Sequence, residues 1–442
     1  MMKKLLFLLL LPITLFGQHT LKGNFAVENG YQFAILYRIA PDNVFYVTDS
    51  NMNAEGILEL PLSAEVTPGM YRLVYNLPQD QHFFDFLYNG KENIEFNFSS
   101  DKVITYVNSD ENKLWSEYRK QLNTFENEIA GLMTGTEVNS KDMKKVLKRK
   151  KKWFEDVQET SKGTFAELFI NNTQPYVTEQ FENKSTYNSN AKKAYLKNLD
   201  FSNTMIQNSA IPLEQSLKYI FNFVNQENLT VSREENIDDI AKSVKTASAG
   251  YQMNLLENVY NFLVAQEEVA EANYLAGKHL IPLADANNKT ELSNRLKLYM
   301  SLSIGAKAPN FGWPEYDGDV ETINTLHQLE GYENYIVVFW SSLCSHCLKE
   351  IPILHNKIKT LDEGKLKVIA VGLEDFEQEW APKAKLFPEF INVLGLGRWE
   401  NQIGNLYDVS GTPTYFFLDG EKKIKVKPET LEELFIIIDA IE

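Results

Sequence analysis

The chain has 442 residues, with 60 Asp and Glu against 44 Lys and Arg and a formal net charge of −16. That excess of negative charge argues against nucleic acid or an anionic membrane surface as the main partner. Hydrophobic residues make up 44% and aromatics 12%, too rich for disorder, and the length implies about two to four domains rather than one core.

At the N-terminus, Met1–Lys4 is short and basic, Leu5–Phe16 is apolar apart from Thr14, and Gly17 is small. Charge, apolar run and small residue in that order read as a secretory signal peptide over residues 1–17, with a buried N-terminal helix as the plainer alternative. The run is too short to span a bilayer. The only two cysteines stand far downstream at 344 and 347, so none follows the run to carry a lipid. The chain from residue 18 is therefore expected to be secreted across the inner membrane into the periplasm or cell envelope, where oxidised thiols persist.

Residues 18–108 alternate with period two in short runs such as FAILYRI (Phe33–Ile39), Val44–Thr48, Ile57–Leu62, Met70–Tyr75 and Ile94–Phe98, separated by turns such as Asn29-Gly30 and Asn89-Gly90. This predicts antiparallel strands in an all-β, sandwich-like domain with a binding or scaffolding role and no chemistry of its own. Residues 109–303 change to a helical period. Leu114, Trp115, Tyr118, Leu122, Phe125, Ile129 and Leu132 share one face, and later helices are expected over Leu213–Asn225, Tyr251–Gln266 and Leu292–Met300. The basic run Lys141–Lys152 reads as a solvated helix face, with a docking patch for an acidic partner as the sharper alternative.

Residues 304–442 read as a β/α unit: buried strands YIVVFW (Tyr335–Trp340) and LKVIAVGL (Leu366–Leu373), helices over Ser345–Leu361, Glu374–Leu386 and Trp399–Tyr407, a hairpin of TYFFL (Thr414–Leu418) with Lys423–Val426, and a closing helix Pro428–Ile441. Pro352 is expected to kink the first helix. Overall this is a multidomain α+β chain.

Both cysteines fall in one stretch, FWSSLCSHCLKEIP. A staple across three residues closes almost no loop and restrains the unfolded chain little. A strand feeding Cys344 into a helix N-terminus places its sulfur near unpaired N–H groups, which favours thiolate over thiol. Cys344 is then the exposed attacking group and Cys347, one turn inside, the resolving thiol. His346 between them can favour the reduced form, or simply face solvent. Glu350, three residues past Cys347, shares its helix face and is a candidate general base, or an ordinary exposed glutamate. A cis Thr412–Pro413 bond in VSGTPT would set backbone groups beside the sulfurs, where an extended partner can pair; trans is the default.

FW-x-x-x-C-x-x-C-x-x-E-x-P, a buried strand, then GTPT before FFLD resembles the thioredoxin fold, in particular the extracytoplasmic thiol–disulfide oxidoreductases of the TlpA/ResA kind. GAKAPNFGWPEYDGD (Gly305–Asp319) resembles that group's leading segment, and Leu21–Ser303 its β-rich and helical N-terminal extensions. The resemblance implies Cys344 as nucleophile, Cys347 as resolving thiol, Glu350 as the acidic residue, Pro413 as a cis-proline, and Trp340 and Thr412 as partner contacts. It implies no bound cofactor and no metal. Its expected partners are disulfide- or thiol-bearing envelope proteins, with a separate electron donor or acceptor, membrane-bound or not. The chain departs from the family at Leu343, where a tryptophan is usual, at Val338, where thioredoxins bury an aspartate, and in the inner dipeptide Ser345-His346, which leaves the direction of electron flow open.

Three other readings stand beside this one. A thiol peroxidase would use Ser341, but Val337 occupies the place of the expected proline. A soft-metal module would hold Cu(I) on the two thiolates, with His346 and His355 poorly placed as co-ligands. An adhesion or scaffold protein would carry the C-terminal domain incidentally.

Overall fold

A computed structural model describes residues 19–134, 139–317 and 320–441; the expected signal segment lies outside them, as do Gly318 and Asp319 of the leading segment. Two compact units divide the chain after Phe262.

In the first unit, β1 (His19–Phe25), β2 (Phe33–Ile39), β3 (Val44–Asn51), β4 (Ile57–Leu62), β5 (Gly69–Val74), β6 (Phe83–Tyr88), β7 (Ile94–Phe98) and β8 (Ile104–Asn108) form two four-stranded sheets, ordered β4-β1-β7-β8 and β3-β2-β5-β6. Period-two alternation gives each sheet an apolar face. In β4, for example, Leu58, Leu60 and Leu62 are buried while Glu59 and Pro61 are exposed. These faces share one cluster that includes Leu21, Leu36, Leu73, Phe86, Phe96 and Phe98, which makes the pair a sandwich. Gly23 lies opposite Phe96, whose ring lies so close that a Cβ would come within 2.5 Å of it.

Helices follow. Asp110–Leu132 is capped by Ser109, whose hydroxyl accepts the Asn112 N–H. Its buried stripe, Trp115, Tyr118, Phe125 and Ile129, matches the sequence face. Trp115 and Tyr118 pack with Met70 and Leu87 of one sheet and with Phe154 and Phe169. Later helices include Ile211–Asn222, Ala249–Ala265 and Thr290–Ser301, each within a few residues of its expected span. The basic run lies on helix Ser140–Ser161 and is mostly exposed. Arg149 pairs with Glu128, and Lys151 with Glu155 and Glu179, so neighbouring carboxylates offset part of the charge. Lys150 is the exception, 3% exposed, and burial lowers its pKa to about 8.

The second unit starts well before the expected 303/304 boundary, because Leu298 and Leu302 at the end of helix Thr290–Ser301 join the cluster of Phe311, Phe339 and Tyr407. A hairpin, β9 (Gly312–Asp317) and β10 (Val320–Thr325), leads into a five-stranded sheet: β11 (Asn334–Trp340), β12 (Leu366–Glu374), β13 (Ile391–Leu396), β14 (Thr414–Asp419) and β15 (Ile424–Val426), ordered β13-β12-β11-β14-β15. The first three strands run parallel; β14 and β15 are antiparallel. β11 is buried on both faces. Ile336, Val338 and Trp340 meet Cys347, Ile351, Leu434 and Ile438 on one side, and Tyr335, Val337 and Phe339 meet Tyr407 and Phe416 on the other. This is the thioredoxin-like α/β fold expected, within the expected multidomain α+β chain.

Two elements escape sequence periodicity. β13 (INVLGL) carries Asn392 and Gly395 on a half-exposed edge, and the β9–β10 hairpin contains Pro314. Helix ends also shift. The first helix spans Cys347–Ile358 and runs through Pro352, Glu374 closes β12 and the next helix is Glu377–Ala384, and Trp399–Tyr407 resolves into a single turn and Gln402–Leu406.

Candidate active site

Parallel strands leave their carboxyl ends at one edge of a sheet, and there the chain must turn into a helix. At the end of β11 the segment Ser341–His346 makes that turn. Cys344 N–H donates to the Ser341 carbonyl at 3.1 Å, and the Cys344 carbonyl accepts from Leu348 N–H at 3.0 Å. A buried carboxylate holds the approach. Glu374, 1% exposed at the end of the neighbouring β12, accepts from the Ser342 N–H, from Ser342 Oγ at 3.0 Å and from Ser341 Oγ at 3.4 Å. Lys383 Nζ donates to the Ser342 carbonyl at 2.5 Å.

The two sulfurs differ sharply. Cys344 is half-buried, Cys347 is 0% exposed, and both are free thiols. Cys344 Sγ accepts the Cys347 N–H at 3.3 Å, the place a capping oxygen takes at a helix start. It also meets the Thr412 carbonyl at 3.3 Å. Burial alone would raise the Cys344 thiol; hydrogen bonds from Cys347, Thr412 and the His346 backbone outweigh it and hold the pKa below the ordinary thiol value. Burial, then the Cys344 sulfur, pushes Cys347 up to about 12.

The Thr412–Pro413 bond is cis. Beyond it, Tyr415 of β14 lies directly across from Val338 and is 1% exposed. Its hydroxyl donates to Glu350 Oε2 at 2.8 Å. Burial, then this bond to Glu350, raises the tyrosine's pKa, and both sulfurs add to the effect. Four large apolar side chains, Leu343, Phe376, Leu396 and Trp399, are exposed at the carboxyl ends of the three parallel strands.

The AhpC/TSA family matches residues 304–427. The thiol–disulfide oxidoreductase ResA of Bacillus subtilis (strain 168) is 30% identical over 138 residues, which cover 31% of this chain and 73% of that protein. The chain belongs to the ResA-like thiol–disulfide oxidoreductases. ResA of Geobacillus thermodenitrificans (strain NG80-2) is 23% identical over 148 residues, 33% of this chain and 80% of the relative. Among solved structures, a thioredoxin-like protein from Bacteroides caccae ATCC 43185 aligns with a TM-score of 0.38 at 19% identity, covering 61% of this chain and 98% of that one.

Within this ResA-like frame the structure brings Cys344, Cys347, Thr412 and Pro413 together, with Glu350 linked through Tyr415. His346 is exposed beside them. Trp340 differs from its expected place as a partner contact: it is 1% exposed and packs edge-on against Phe387, so its ring offers no surface to a partner in this conformation. Ser341 spends its hydroxyl on Glu374 and on the Leu343 N–H at 3.3 Å. His355 lies against Phe387 and Phe390 and pairs with Glu389. Among the described residues no three His, Cys, Asp or Glu side chains converge as a metal would require. Sequence reasoning missed Glu374 and Tyr415. Both are far from the C-x-x-C in the chain; the only signals were an acid closing an apolar strand and a polar ring two places after Pro413.

Proposed function

We propose that the chain exchanges disulfides with proteins of the cell envelope through the Cys344/Cys347 pair. The observation that carries this reading is the asymmetry of the sulfurs: one half-exposed and below the ordinary thiol pKa, its twin fully buried and held near 12. The Cys344 thiolate attacks a partner's disulfide, forms a mixed disulfide and expels one partner thiolate. Cys347 then loses its proton to Glu350 and attacks Cys344 Sγ. The Cys344–partner bond breaks and the second partner thiolate leaves, so the partner gains two electrons and the pair is oxidised. A separate electron donor or acceptor resets the pair, and the reverse sequence oxidises a partner.

The basic and apolar order of residues 1–17 supports export to the envelope. The Thr412 carbonyl supports pairing with an extended partner strand. The exposed Leu343, Phe376 and Trp399 favour partner segments with large apolar residues near the cysteine. His346 tunes the pair from solvent. The Ser341 hydroxyl, which a peroxidase would use, is bonded to Glu374 instead.

Cys347→Ala removes the resolving thiol, so mixed disulfides on Cys344 accumulate in the native host and separate on reduction. Recovery of no such adduct, with Cys344 shown to be reduced and alkylatable, would overturn this reading.

A further inference from the structure

We infer that Tyr415 is a positioning residue for the resolving step: its hydroxyl fixes Glu350 as the acceptor of the Cys347 proton. This inference rests on the exchange reading above and adds to it the group that orients its base.

The problem to be solved is the Cys347 proton. That thiol is fully buried, and a carboxylate able to take its proton must reach inward from a helix position that is only half-buried. A free glutamate side chain there has several rotamers, and hydration favours those pointing to solvent. In thioredoxins a buried aspartate on the central strand meets the need. Here that place is Val338, 0% exposed and without a polar atom.

The residue directly across the sheet from Val338 is Tyr415. Its ring belongs to the same packed cluster as Val338, Cys347 and Ile351, so it enters from the buried side. Its hydroxyl emerges at Glu350 and donates to Oε2 at 2.8 Å. One end of the bridge is therefore locked in the core and the other grips the carboxylate. A tyrosine that is buried and sits beside a carboxylate and two sulfurs stays protonated. It serves as a constant donor and leaves the base role to Glu350. A donor to one oxygen also leaves Oε1 of Glu350 to accept the thiol proton. Proton and electrons balance as in the exchange step: the Cys347 proton passes to Glu350 and thence to solvent or the departing thiolate, while the new S–S bond forms within the pair.

The experiment uses the reduced full chain and the aromatic disulfide dithiobis(nitrobenzoate), which liberates coloured thionitrobenzoate twice. The first release reports attack by Cys344, and the second reports resolution by Cys347. With Tyr415→Phe, the first release keeps its rate and pH profile. The second slows by about tenfold near neutral pH, within the range a positioned general base contributes, and recovers as pH rises and hydroxide replaces the oriented base. Glu350→Gln, at a half-exposed helix position that leaves the core untouched, slows the second release at least as much. Because Tyr415 acts only through Glu350, adding Tyr415→Phe to Glu350→Gln slows it no further. A second release unchanged in Tyr415→Phe, or slowed by the same factor with and without Glu350, overturns the inference. If Tyr415→Phe fails to fold, an unchanged second release in Glu350→Gln overturns it equally, and one slowed near neutral pH that recovers as pH rises supports it. Failure of the exchange reading looks different: the first release itself would then be no faster than that of free cysteine.

Discussion

The sandwich of the first unit and the five-stranded sheet of the second are both built from apolar strands, yet both cysteines of the chain lie in the second. Most strands of the sandwich bury one face, though β5 buries both, with Met70 on one side and Tyr71 and Leu73 on the other; all pair with neighbours in their sheets, which spends their polar backbone groups. The central strand of the second sheet is buried on both faces, and its parallel neighbours bring their ends to a single edge. There the chain leaves the ladder, and helix N–H groups remain to be satisfied by a sulfur. Chemistry in this molecule belongs to strand ends rather than to strand faces.

The largest effect that tests this contrast is the reactivity of the two thiols. A thiolate alkylates and a thiol does not, so each rate rises with pH toward a plateau above its pKa. Cys344, with its pKa lowered, reaches its plateau at lower pH than an ordinary thiol. Cys347, near 12, is still rising at the alkaline limit and near neutral pH reacts slower by about a thousandfold or more. Iodoacetamide labelling of the reduced chain over a pH series, read by peptide mass, checks this; equal rates would remove the asymmetry on which exchange depends.

A second change sharpens the other side of the comparison. Phe96→Ala in the sandwich core deletes a ring that is 0% exposed, at a cost of about 3–5 kcal/mol. Denaturant unfolding should show the first unit weakened by that amount while the Cys344 alkylation profile stays as in the wild type. A shift of that profile would mean that faces and ends are not separable.

The smallest effect concerns Lys150. Its pKa of about 8 in the folded chain lies below the value of about 10.4 expected unfolded. Between those values the unfolded chain binds the extra proton, so this group's contribution makes stability rise with pH across that window. Lys150→Met removes the buried amine and flattens the rise, and below the window it leaves the protein as stable or slightly more so. Urea midpoints of the two proteins between pH 7 and about 10 check it; parallel curves would show the lysine to be paired and charged throughout.

Much of this fold was legible because its signals are local. Alternation marks Ile57–Leu62, an unbroken apolar run marks Tyr335–Trp340, and a helical stripe marks Asp110–Leu132. The C-x-x-C pair at a helix start and the cis bond before Pro413 were legible for the same reason. What escaped was decided by pairing across the chain. β13 is an edge strand whose Asn392 and Gly395 hide its period. Glu374 looked like the start of a helix, and only its bonds to Ser341 and Ser342 reveal a buried acid at a strand end. Tyr415 reads as one more aromatic of TYFFL until register sets it opposite Val338. Trp340, a partner contact by resemblance, is instead held in the core by the two-sided burial of β11.

The grip of Glu374 on Ser341 and Ser342 has a kinetic consequence. Ordering a free loop costs roughly 1–2 kcal/mol per residue, and an untethered segment before Cys344 would incur that cost at every collision with a partner. Anchored from within by the carboxylate, the turn before Cys344 is ordered in advance, and in the proposed exchange the first attack is spared that cost.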